Sequence, residues 1–297
     1  MISYLDQNVL IYLAKRDDWM ATATKAAAQR SERFVLSPWH FYEIGKLTHE
    51  RRRELLDVAD QLQPSWILDR ADIQMLEFLN AWDQLWDGTH KHFSPIGTLA
   101  EVAAFLLRTT PERLVNVSLA DFVETFSKPG ASSPLTEVFD SQKTIAAANQ
   151  RSFAEGRHSE AVEREVQKRY LARLLARRGE TNPSLSELNG KQAAILQDGF
   201  MNAKIDFFID FVGFSELRAW IIESRLAKLH MAGNAVLNEN RQVDRHHACA
   251  GLAYCGRFVT NDTELLNRSA EVSRDLPFTP AMAIRPEDFI EQIDEHG

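Results

Sequence analysis

Four acidic residues stand out by where they fall in the chain. Asp6 ends a short apolar run at residues 2–5, and Glu43 lies one or two turns into a helix that follows a second run at 34–37. Asp244 opens an alanine-rich helical stretch, and Asp262 ends the run at 257–260. In an open parallel sheet, ligands bind outside the carboxyl ends of the strands, where loops and helix starts gather. Asp6 and Asp262 can therefore meet although 256 residues separate them. Carboxylates a few Å apart repel one another, and such a cluster persists only when protonated or when it holds a cation. Oxygen donors without a matching Cys or His set suit a hard ion, Mg²⁺ or Mn²⁺. Ions of that kind activate water against phosphate esters. Asn8, Thr260 and Thr263 are placed to hold the carboxylates, and Glu264 is a fifth acid nearby. Each acid also has a structural account. Aspartate before a helix is a favoured N-cap worth about 1 kcal/mol, Asp6 with Asn8 can build a turn, and Glu43 can be a solvated helix residue. Four such residues with matching placement shift the balance towards chemistry.

The elements that must position these acids read as alternating strands and helices at both ends of the chain. Strands are expected at 2–5, 34–37, 65–68, 257–260 and 281–284, from apolar runs that stop at polar turns. Helices are expected from Val9, from Pro38 through Phe41, Ile44 and Leu47, from Asp244 to Tyr254 with Gly256 as C-cap, and from Thr263. Strands separated by helices imply an α/β fold with a mainly parallel sheet and helices on both faces. Residues 81–226 carry no persuasive strand signal and read as an all-helical insertion, with long helices at 141–179 and 186–229 and a loop at 128–134. Residues 1–80 and 227–297 then form one domain in two parts.

Composition sets the outer bounds. The chain has 297 residues, 44% hydrophobic and 26% charged, which excludes a disordered or low-complexity protein. Cys249 and Cys255 are too few for a disulfide scaffold or a four-cysteine zinc site. A net charge of −8 argues against a surface coated in positive charge for non-specific DNA binding, though a local basic face remains open. Residues 151–178 hold eight Lys or Arg against four Glu, with Arg169 and Arg173 among those at near-helical spacing. Lys46, Arg51, Arg52 and Arg53 follow Glu43 on what reads as the same helix. Both groups are candidates for phosphate contact, while charged helical faces are more often simply solvated. His246 and His247 have no partner at zinc spacing and read as structural, as do His90 and His92. Trp66, Trp82, Trp86 and Trp220 read as packing. There is no phosphate-cradling glycine loop and no Gly-x-Ser-x-Gly elbow. No window approaches the length of apolar chain that spans a bilayer and no targeting segment is visible, so the expectation is a cytoplasmic protein without a membrane partner.

The residues at 4–10, Tyr-Leu-Asp-Gln-Asn-Val-Leu, resemble the opening strand and turn of the PIN domain family of nucleases. Ser37 through Glu43 and Ile44 is similar to that family's second strand and the helix with its second acid. Asp244, followed 18 residues later by Asp262 at the end of Phe258-Val259-Thr260-Asn261-Asp262, resembles its third and fourth acidic positions. Ile284 with Pro286-Glu287-Asp288-Phe289 resembles its closing strand and helix start. The resemblance covers about half the chain. It implies a three-layer α/β/α fold and Mg²⁺- or Mn²⁺-dependent phosphodiester hydrolysis, usually of RNA, with Asp6, Glu43, Asp244 and Asp262 as metal ligands and catalytic residues. An endoribonuclease is the expectation. A catalytically silent binding or regulatory protein and a structure-specific DNA nuclease are the rivals. RNA, an inhibitory protein if the enzyme is toxin-like, and a second copy of the chain are the expected partners. The helical insertion, Gln7 and the Arg245-His246-His247 run depart from the family's pattern.

Overall fold

A computed structural model describes residues 1–88, 93–107, 109–127, 160–178, 190–211, 217–232 and 239–295. Six strands form one sheet: β1 (Ile2–Leu5), β2 (Arg33–Leu36), β3 (Ser65–Ile67), β4 (Ile96–Gly97), β5 (Arg257–Val259) and β6 (Met282–Ile284), in the order β4-β3-β2-β1-β5-β6. All pairings are parallel except that of β3 with β4. The strands are short and mostly apolar, as strands covered by helices are. β1 lies at the centre, with the chain winding outward through β2 and β3 on one side and through β5 and β6 on the other.

Alternation along the strands assigns the two faces. Tyr4 is in register with Phe258, and their rings stack at 5.6 Å. That face receives α11 (Glu239–Tyr254), whose Gly251 fits against both rings. A Cβ at Gly251 would lie 2.5 Å from the Phe258 ring and 3.0 Å from Tyr4, so the absent side chain sets how closely α11 approaches the sheet. Phe34, one residue out of phase with Tyr4, meets Phe289 of α13 (Pro286–Glu295) edge-on at 6.1 Å. Two groups of further helices pack near the sheet. α1 (Gln7–Leu13), α2 (Asp17–Ala28) and α4 (His49–Leu62) pack together, with α13 against α2; α3 (Trp39–Gly45), α5 (Arg70–Asp87), α10 (Arg218–Ala232) and α12 (Thr263–Val272) surround α11. At the amino end of the strands, a buried Arg257–Glu32 pair at 2.9 Å ties β5 to the residue before β2, and the Ser3 hydroxyl donates to Glu32 at 2.5 Å.

The α/β class and the mainly parallel sheet match the sequence reading, and several boundaries differ. The helix expected to run from Pro38 past Leu47 is broken. α3 ends at Gly45 and α4 starts at His49, after Thr48 turns extended at φ −58°, ψ 157°. Arg52 donates to the freed carbonyls of Gly45 and Leu47 at 2.5 and 3.5 Å, so it stabilises the break. α11 begins at Glu239, five residues before Asp244. Gly256 is not a left-handed cap: its N–H donates to Ile2 O at 2.8 Å and its carbonyl accepts from Met282 at 3.0 Å, opening the β5 ladder.

The stretch read as all helical holds β4, paired antiparallel to β3 at the sheet edge. Its described helices are the end of α5, α6 (Leu99–Leu107), α7 (Leu119–Ser127), α8 (Glu160–Arg178), α9 (Gly190–Phe211) and the start of α10. The helix expected at 186–229 is therefore two, α9 and α10. The expected loop at 128–134, residues 141–159 of the other long helix, and His90 and His92 lie outside the described residues. The 80/81 division falls inside α5. Phe78 and Trp82 of α5 leave the main core and form a second one with Leu171, Leu174 and Leu175 of α8 and Ile205 and Phe208 of α9. Among the described residues, no helix is long and apolar enough to cross a membrane.

Candidate metal centre

The carboxyl ends of β1, β2 and β5 bring the chemistry-bearing side chains together. Asp6, the first residue after β1, is buried and caps α1 through Gln7 N at 2.7 Å. Its other oxygen accepts from Asn8 Nδ2 at 2.5 Å and from Thr260 Oγ1 at 2.7 Å. Asn8 also accepts from Asn261 N at 2.9 Å, so the turns after β1 and β5 are stitched across the sheet. Glu43, on α3 after β2, is held from two sides. With the Gln7 amide oriented so that its nitrogen faces the carboxylate, that nitrogen donates to the two carboxylate oxygens at 2.9 and 3.0 Å, and His247 Nε2 lies 2.8 Å from Oε2. Gln7, unexplained by sequence, is thus a clamp on Glu43.

His247 sits on α11 one turn before Gly251 and is fully buried. The close helix–sheet approach that Gly251 permits is what delivers its ring to Tyr4, at 5.7 Å between centroids. One ligand atom each from Asp6, Glu43 and His247 lies within 4.8 Å of the others, which is a span that one metal ion can bridge.

The electrostatics match that crowding. Burial pushes the Glu43 carboxyl up, Asp6 adds to the rise, and His247 opposes it. Burial works against a charged His247, yet Glu43, Asp6 and Asp244 prevail and raise it above the ordinary imidazole value. Asp244 is raised to about 7, by burial first and then by Asp6, with Glu43 and Asp262 adding to the rise and His247 opposing. Each of the other three acids acts on Asp244, so all four share one field. Asp244 lies inside α11 rather than before it, which removes the N-cap account of that residue. Asp262 does cap α12, accepting from Leu265 N at 2.8 Å, and it shares a shallow recess with Asp244, Arg241, Glu264 and Arg268.

Other candidates are directed elsewhere. Thr263 accepts from Arg285 at 3.1 Å, and Glu264 is exposed and pairs with Arg268 and, at 3.4 Å, with Arg241. Lys46 stands over the Tyr42 ring at 4.0 Å, lowered by burial against the pull of Glu43. Arg51 pairs with Glu54 at 2.8 Å on α4, and Arg52 is spent on the helix break. On α8, Arg169 pairs with Glu165 at 2.9 Å, Arg164 with Asp210 at 2.6 Å and Lys168 with Asp206, while Arg173 is exposed. Much of that basic face is matched by acids of α8 and α9.

His246, next to His247, points into a different cluster. Its Nδ1 lies 3.1 Å from Asp69, which also accepts from Trp39 Nε1 at 2.6 Å. Burial, with Arg70 adding, lowers His246 to about 4, so an uncharged imidazole faces Asp69. Arg70 and Arg245 both pair with Glu223 beside it.

Neither histidine was singled out by spacing to another ligand. A usable signal exists: Asp244, His247 and Gly251 recur at three and four residues, one face of a helix. A separate cavity of about 570 Å³ between the β4 edge and α6, lined by Leu68, Pro95, Ile96, Val102 and Phe105, is far more apolar than the acid cluster. No protein-family model, no curated protein and no solved structure matches the chain.

Proposed function

We propose that this chain is a divalent-cation-dependent phosphodiesterase, an endoribonuclease with a PIN-like three-layer α/β/α fold and a helical insertion. The strand order supports the fold reading, as do α11 on the Tyr4 face of the sheet and α13 on the Phe34 face. The observation that carries the activity is the convergence of Asp6, Glu43 and His247 within 4.8 Å at the carboxyl ends of the strands. It lies where the strand order reverses beside β1, the usual place for a ligand in such sheets.

The donor set fits a divalent ion. Asp244 held up to about 7 by burial and by its acidic neighbours is what a buried cluster short of positive charge produces. Asp6, Glu43, Asp244 and Asp262 would hold the ion, directly or through water. When bound, it supplies a water of lowered pKa and screens charge on the scissile phosphate. Asn8, Thr260 and Gln7 N fix both oxygens of Asp6, and Gln7 with His247 fixes Glu43, so the ligands are oriented before an ion arrives. The choice of RNA rests on the resemblance at residues 4–10, 37–44 and 244–262.

The test is cleavage of labelled RNA in Mn²⁺ or Mg²⁺ by the chain and by Asp6→Asn. The expected loss exceeds about 100-fold, the upper range for disturbing a metal site's supporting residues, with an unchanged circular dichroism spectrum. Undiminished cleavage by the variant overturns the assignment. Single-stranded and flapped DNA run in parallel identify a DNA enzyme, and cation binding without turnover on any substrate identifies a regulatory protein.

A further inference from the structure

The geometry points to a nitrogen ligand in this site: we propose that His247 Nε2 binds the cation beside Asp6 and Glu43, and that the site therefore selects a first-row transition ion such as Mn²⁺ over Mg²⁺. This rests on the cation-dependent reading above and specifies which ion it takes.

A set of contacts orients the His247 ring. Leu5 O can only accept, so His40 Nε2, 2.9 Å away, carries a hydrogen. Ser37 holds His40 Nδ1 with its N–H at 3.0 Å and its carbonyl 3.1 Å from the same nitrogen. The Ser37 hydroxyl lies 3.4 Å from that nitrogen and 3.4 Å from His247 Nδ1, so it bridges the two rings. Tyr4 OH donates to Ser37 Oγ at 2.8 Å, and the phenol oxygen lies against His247 Nδ1. Anchored at Nδ1, the ring turns Nε2 towards the Glu43 carboxylate at 2.8 Å. A positive centre joins that nitrogen to the carboxylate oxygen, either a proton or a cation that displaces it. Asp6 completes a triangle of donors around that centre within 4.8 Å.

Anchoring of Nδ1 by a neighbouring oxygen is how proteins orient a metal-binding imidazole. Four buried residues, Tyr4 of β1, Ser37 and His40 around the start of α3, and His247 of α11, contribute to this one orientation. Imidazole is a poor ligand for Mg²⁺, which takes oxygen, and a good one for transition ions.

The experiment is titration of the full chain with Mn²⁺, followed by electron paramagnetic resonance of the free ion, and competition by Mg²⁺. The expected preference for Mn²⁺ is about tenfold or more, in the direction of the general affinity order. Pulsed resonance on the Mn²⁺ complex should show coupling to one ¹⁴N nucleus. His247→Gln should remove that coupling and weaken Mn²⁺ binding by about 10–100-fold while moving Mg²⁺ binding far less. Tyr4→Phe, which keeps the nitrogen and removes only its anchor, should weaken Mn²⁺ binding by about tenfold. Mn²⁺ bound with no nitrogen coupling overturns the proposal and leaves the phosphodiesterase reading standing. Binding of neither ion overturns both.

Discussion

His246 and His247 are neighbours on α11, and each is buried against a carboxylate, yet their surroundings differ in kind. His246 faces Asp69 beside Arg70, Arg245 and Glu223, where two acids meet two arginines. His247 faces Glu43 in a cluster with Asp6, Asp244 and Asp262, where it is the cation among the groups acting most strongly on Asp244. In the first cluster Asp69 stays well below the usual carboxylate range despite burial, through His246 and Arg70, while burial lowers His246 itself to about 4. In the second, Glu43 and Asp244 are pushed up. One cluster is charge-balanced by its own side chains and the other is not. Burial alone does not separate them; the supply of counter-charge does.

Removing one charge from each should have opposite effects, and the largest is expected in the balanced cluster. Glu223→Gln leaves Arg70 and Arg245 without their shared partner, and a buried pair broken in this way costs about 3–5 kcal/mol. Denaturant unfolding measures it, and a loss below about 1 kcal/mol would erase the contrast. Asp244→Asn should instead stabilise the chain. Its folded pKa of about 7 lies above the ordinary 3.8, so the native state binds the extra proton between those values. Stability contributed by that proton is present below about 4 and is lost as pH rises through 7. The gain from Asn should therefore be absent at pH 4 and grow to at most about 4 kcal/mol at pH 8 in cation-free buffer. Melting curves across that range test the sign. The smallest effect sharpens the contrast. Mn²⁺ at about 100 times its Kd should add about 2.7 kcal/mol to the native chain and nothing to Asp6→Asn.

Much of the acid cluster was legible because it sits on the simplest signals. Asp6 and Asp262 each follow a short apolar run, and strand ends are readable from where such runs stop. Glu43 follows its strand by a fixed helical offset. What sequence did not show depends on distance in the chain. His247 reaches the site only because α11 lies on Tyr4 and Phe258, a contact set by Gly251. The break between α3 and α4 hid behind a continuous apolar spacing through Leu47, so Arg51 and Arg52 were placed on Glu43's helix. β4 is two residues long and, among the described residues, pairs with β3 at the sheet edge, too short to leave a period-2 pattern. The cations of α8 looked like a phosphate-binding face because their partners, Asp206 and Asp210, lie on another helix.

α5 belongs to both cores at once. Its first turn carries Arg70 and Asp72 beneath α10 and α11, and its last turns carry Phe78 and Trp82 into the second core before Gly88 ends it in the left-handed conformation. At 1.5 Å per residue, its 18 residues make a rod about 27 Å long. Excising the helical lobe to obtain a minimal catalytic unit would strip the cover from two large aromatic rings on a helix that must stay intact to hold Arg70. A shortened version would need polar replacements at Phe78 and Trp82, or it would trade one protein for an aggregate.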